Sequence, residues 1–174
     1  MAKDARLSII TIAWGVFLVV SASFMLQVNE WLTARVGDPL LARLFWIVAI
    51  VLIVALVLRA ITVRLGLVQT LTVVLIFALG YLVGTWQQHF AEKTHILTYG
   101  ILGFLAARDL IGDKKTERPF AVLAVLAFVI FISAADEAFQ YILPYRFGEI
   151  GDFLTNVVSG ALGMGLFVTL RKAK

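Results

Sequence analysis

Asp136 and Glu137 stand side by side after thirteen residues, Phe120–Ile132, that carry no polar side chain. Gln140, Arg146, Glu149, Asp152 and Asn156 follow, and Glu92, Lys93 and His95 precede them. Carboxylates beside an imidazole are the groups general acid–base chemistry uses, because histidine exchanges a proton near neutrality. The planar fork of Arg146 suits phosphate oxygens. The same residues can also form a polar cap at a helix end, with Arg146 or Lys93 answering the acids and fixing the packing. His95, Glu137 and Asp152 have the donor types of a metal site. With only His89 as a second histidine, no cysteine and no HExxH spacing, no metal ligand and no cofactor are assigned.

Apolar blocks must position these groups. The 174 residues are 61% hydrophobic and 15% charged, where a soluble domain is about half apolar and a quarter charged. A helix crosses the hydrocarbon with about 20 apolar residues. Six stretches qualify: Leu7–Gln27, Leu40–Leu58, Leu65–Trp86, Thr94–Ile111, Pro119–Leu143 and Phe153–Leu170. The fourth is the weakest, being short and interrupted by Arg108 and Asp109. The fold class expected is an all-α integral membrane protein, a polytopic bundle of about six transmembrane helices. Residues 1–91 hold three spans and residues 92–174 three more, in one compact membrane domain. Nothing resembles a nucleic-acid surface.

Lys and Arg in short loops set orientation. Lys3, Arg6, Arg59, Arg64, Arg108, Lys114, Lys115, Arg118, Arg171, Lys172 and Lys174 fall on one side; Arg35, Arg43, Lys93 and Arg146 fall on the other. Both termini are therefore expected in the cytoplasm. Asp136 lies about 26 Å beyond Pro119 at roughly 1.5 Å per residue, near the outer edge of the hydrocarbon. A carboxylate at that depth needs a partner or a bundle-facing position.

Spacing gives it neighbours. Gln140 is i+4 from Asp136 and i+3 from Glu137, so it can reach either. Asp152, Asn156 and Gly160 form a polar-then-small stripe, and Ser159 with Gly163 a small-xxx-small pair that lets another backbone approach. The expectation is a polar pocket between the fourth, fifth and sixth helices. Trp31, Trp86, Tyr141 and Tyr145 read as an aromatic belt. Gln69, Thr70 and Thr72 are expected to bond across helices.

"EKTHILTYGILGFL" and "DEAFQYILPYRFGEIGDFLTNVVSGALG" together resemble the VanZ-like membrane proteins. The matching positions are Glu92, Lys93 and His95; Asp136, Glu137 and Gln140; Arg146; Asp152 and Asn156; then Gly160 and Gly163. The Glu-Lys-x-His spacing is one residue tighter than the family's, and Ser159 stands where glycine is expected. The resemblance covers about Glu92–Leu170. It implies a multi-pass protein of the bacterial cytoplasmic membrane and the cell envelope, in a family whose founding member is associated with teicoplanin resistance.

Three functions fit. The first is binding of a lipid, lipid-linked cell-wall intermediate or lipoglycopeptide through an outward-facing polar pocket, with a link to glycopeptide resistance. The ligand-binding residues would be Glu92, Lys93, His95, Asp136, Glu137, Gln140, Arg146, Asp152 and Asn156. The second is an intramembrane enzyme on a lipid-linked substrate, with His95, Glu137 and Asp136 as acid–base candidates. The third is an accessory subunit with a membrane-protein partner. No paired broken helices suggest a carrier.

Overall fold

The computed structural model describes residues 6–62, 65–87, 90–112 and 118–171. They form six α-helices and, among the described residues, no strand. The helices are α1 (Ile9–Val36), α2 (Asp38–Thr62), α3 (Leu67–Trp86), α4 (Phe90–Leu110), α5 (Arg118–Ile142) and α6 (Ile150–Arg171). Five of them, all but α4, are long and apolar enough to cross a membrane.

Helix ends follow local chemistry. Ser8 caps α1, its hydroxyl accepting from the Thr11 amide. α1 runs past the polar Asn29 and Glu30 and stops at Gly37, whose φ of +84° suits glycine and whose amide donates to the Thr33 carbonyl. α2 begins at the next residue, so the first hairpin has almost no loop. α5 ends at Ile142, two residues before Pro144, as the restriction on pre-proline residues requires. Arg59 lies within α2 and not in the turn after it. Lys3, Arg64, Lys114, Lys115, Lys172 and Lys174, which carry much of the positive bias, lie outside the described residues, as does His89.

α4 is the centre of the bundle. It touches every other helix, and its contact with α6 is the most extensive in the molecule. Its 21 residues span about 31 Å. Charge at both ends explains why its composition falls short of a membrane span. At one end Asp38 of α2 accepts from the Phe90 amide, supplying a cap from another helix. At the other end Asp109 accepts from the Ser8 amide and the Thr11 hydroxyl, and Arg108 bonds both Asp109 and Ser8. That clasp ties the start of α1 to the end of α4.

Two apolar clusters lie along α4. Leu18, Tyr99, Leu102, Val129 and Ile132 join α1, α4 and α5. Ala106, Ala107, Ile111 and Val125 join α4 and α5 nearer the Asp109 end, with Phe167 and Val168 of α6 against them. The outer faces are also apolar: Val51, Leu58, Leu67, Leu71 and Leu75 are among many exposed large side chains. A soluble monomer does not carry apolar surface on that scale, whereas hydrocarbon accepts it.

Glycines set the closest approach. A Cβ on Gly103 would overlap the Gly160 carbonyl, and one on Gly163 the Gly100 carbonyl. α4 and α6 run in the same direction, His95 meeting Asn156 near their starts and Phe104 meeting Phe167 further along, and they cross with backbones in contact, the arrangement small residues permit in membranes. The expected cross-helix bonds of Gln69, Thr70 and Thr72 are not formed. Gln69 accepts from the Gly66 amide, which has no helical partner, and the Thr70 and Thr72 hydroxyls donate to the carbonyls four residues back, a local bond open to any helical threonine.

Candidate functional site

At the end of the bundle away from Asp109, α4, α5 and α6 each bring a polar side chain inward. Asp136 is 3% exposed and fully engaged. The Tyr99 hydroxyl donates to its Oδ2 at 2.8 Å, and the Gln140 amide to its Oδ1 at 3.2 Å. One helical turn before Tyr99, His95 stacks parallel to the tyrosine ring, with centroids 6.0 Å apart. His95 Nδ1 lies 2.8 Å from Asn156 Oδ1. An amide oxygen only accepts, so Nδ1 is the donor, and in the neutral ring Nε2 carries the lone pair. Tyr99, Asn156 and Gln140 are all buried.

These groups form one wall of a cavity of about 370 Å³. Glu92, His95, Tyr99, Asp136, Gln140 and Asp152 line its polar side. Arg146 and Glu149 enter from the α5–α6 connection, and Arg146 Nε is buried with no hydrogen-bond partner. α1 supplies a mainly apolar side through Phe17, Leu18, Ala22, Met25 and Leu26, with Ser21 and Asn29 among them. The pocket therefore lies among α1, α4, α5, the connection and the first turn of α6, rather than among the last three helices alone.

The α5–α6 connection is pinned at two points. The Glu149 amide donates to Glu137 Oε2 at 2.9 Å, and the Tyr145 hydroxyl donates to the Ser23 carbonyl of α1 at 2.9 Å. Glu137 thus points toward the connection while Asp136 lines the cavity, as the 100° step between adjacent helical residues allows. Lys93 is buried, and its ammonium donates to the Gln87 carbonyl. It does not line the cavity, nor does Asn156, which stands behind His95. Among the expected ligand-binding residues, then, Glu92, His95, Asp136, Gln140, Arg146 and Asp152 meet around one space, and Lys93, Glu137 and Asn156 support it from outside. Among the described residues no cluster of three or more His, Asp and Glu has metal-site geometry.

Sequence reasoning missed Tyr99 and the α1 wall. Tyr99 had a readable signal, since it is i+4 from His95 and so shares its face. The α1 residues had none, because apolar side chains facing a cavity look like any others in a span.

A family model described as VanZ/LLP1 matches residues 7–171, nearly the whole chain. The chain belongs to the VanZ/LLP1 family. The match reaches well beyond the Glu92–Leu170 region that carries the recognisable motifs, and takes in α1, α2 and α3. No curated protein and no solved structure matches this VanZ/LLP1 chain. Its five apolar spans make it a multi-pass membrane protein.

Proposed function

We propose that this VanZ/LLP1 protein binds an amphiphile in the Asp136–Arg146 cavity, with a polar headgroup on the α4–α5 side and a chain along α1. Lipids, lipid-linked cell-wall intermediates and lipoglycopeptides belong to this class. The supporting observation is that one cavity joins a cluster of charged side chains to a mainly apolar stretch of α1. A buried guanidinium nitrogen without a partner is costly unless something bonds it, and an anionic headgroup oxygen does so. Arg146 takes that role alone, since Lys93 is directed elsewhere. The positive bias of the loops orients the cavity toward the outside of a bacterial cytoplasmic membrane.

Native mass spectrometry with lipidomics tests this reading on the purified chain beside Arg146→Ala. A lipid enriched over bulk membrane and lost in the variant is expected. Co-purified lipid with the bulk composition overturns it.

A second reading is favoured by His95. Asn156 holds its ring with Nε2 as the acceptor, the state a general base needs. In that case the enriched lipid is also turned over, and His95→Gln keeps the lipid while abolishing its conversion. An unchanged lipid on prolonged incubation removes the enzymatic reading and leaves binding.

A further inference from the structure

Two opposite charges of the cavity, Arg146 and Asp152, are not joined directly to each other among the described residues. Arg146 and Asp152 both line it, one from the α5–α6 connection and one from the first turn of α6. Among the described residues no direct hydrogen bond or ion pair joins them, and Arg146 Nε is buried and unpartnered. The rest of the lining is not neutral. Glu92, Asp136, Glu149 and Asp152 bring carboxylates against one guanidinium and one imidazole. Asp136 already accepts one donor on each oxygen, from Tyr99 and Gln140, which holds it in place. Asp152 is half-buried, and among the described residues no hydrogen-bond donor reaches its carboxylate.

This distribution decides what kind of headgroup fits. A purely anionic headgroup would satisfy Arg146 but lie among a majority of carboxylates. A purely cationic one would meet the acids and oppose the guanidinium. Juxtaposed like charges cost several kcal/mol in a partly desolvated site. A group with an anionic oxygen and an N–H-bearing ammonium a short distance apart satisfies both sides. A quaternary ammonium lacks the protons to donate to Asp152.

We propose that the cavity selects a zwitterionic amphiphile, holding its anionic oxygen on Arg146 and its primary ammonium at Asp152. This rests on the amphiphile reading above and specifies its headgroup. A phosphoethanolamine headgroup carries both groups, a phosphate and a primary ammonium, a short distance apart.

The test is lipid retention by the full chain in detergent, read by native mass spectrometry. The probes are phosphatidylethanolamine, phosphatidylglycerol and N-acetyl phosphatidylethanolamine with identical acyl chains. N-acetylation replaces the ammonium with a neutral amide and keeps the phosphate and chains, and phosphatidylglycerol controls for the net negative charge that results. Phosphatidylethanolamine is expected to be favoured by about tenfold or more over both others. Asp152→Asn, nearly isosteric, is expected to bring the three lipids close to parity at an unchanged melting temperature. Soluble phosphoethanolamine is expected to compete poorly, because it has no chain for the α1 wall.

Equal retention of all three lipids by the wild type, with all lost in Arg146→Ala, overturns the selectivity and leaves the amphiphile reading standing. A preference for phosphatidylglycerol overturns it in the same way. No retention of any probe above the bulk-lipid level overturns both.

Discussion

The Tyr99 hydroxyl donates to Asp136 Oδ2 at 2.8 Å, joining α4 to α5 inside the wall of the cavity. Both side chains are almost wholly buried. The pair therefore does two jobs: it keeps a buried acid supplied with donors, and it holds the face on which His95 stacks.

Tyr99→Phe removes one of the two donors to Asp136. The expected loss is about 1–3 kcal/mol, the cost of leaving a buried acceptor short. Unfolding in mixed micelles measures it. Asp136→Asn in the Tyr99→Phe background should cost less than the sum of the two single changes, because the residues are directly coupled.

The glycine seam gives a contrast within one helix. Gly163→Ala puts a methyl group into the Gly100 carbonyl, and Gly103→Ala puts one into the Gly160 carbonyl. Each should lower stability by about 1–3 kcal/mol or more and broaden the size-exclusion peak, since backbone cannot give way as a side chain can. Gly151→Ala meets nothing within 4 Å and should be neutral or slightly stabilising in the same assay.

At the far end, Asp109→Ala removes the acceptor for the Ser8 amide and Thr11 hydroxyl. A lost cap costs about 0.5–2 kcal/mol. Hydrogen exchange should quicken at residues 8–12 and hardly change around Tyr99. Asp109→Asn keeps an acceptor oxygen and should show a smaller effect.

The connection that carries Arg146 can be disturbed without touching the bundle. A Cβ on Gly148 would lie 2.7 Å from the Glu137 carbonyl oxygen, so Gly148→Ala must displace this segment. Retention of the enriched lipid should fall, while the melting temperature should move less than in Gly163→Ala. Glu137→Ala, which removes the acceptor for the Glu149 amide, should act in the same direction.

Orientation is directly measurable because the chain has no cysteine. Glu30→Cys, on the exposed polar end of α1, should react with a membrane-impermeant maleimide in intact cells. Labelling only after permeabilisation would invert the assignment of the cavity to the outer face.

Composition and short periodic spacings were enough to read the helical class, the apolar stretches and the grouping of polar residues at one end. The Asp136–Gln140 bond is an i, i+4 relation, and Gly160 and Gly163 mark a close approach by their small size. Only the tertiary structure decided which backbone they approach, since Gly100 and Gly103 lie some sixty residues away. It also chose Asp136 over Glu137 as the cavity carboxylate, a 100° rotation that spacing leaves open because both acids can reach Gln140. It turned Lys93 onto the Gln87 carbonyl and brought α1, nearly eighty residues earlier than Tyr99, against the polar wall. Helical periodicity shows which residues share a face. It carries no information about the face opposite, which packing among distant helices selects.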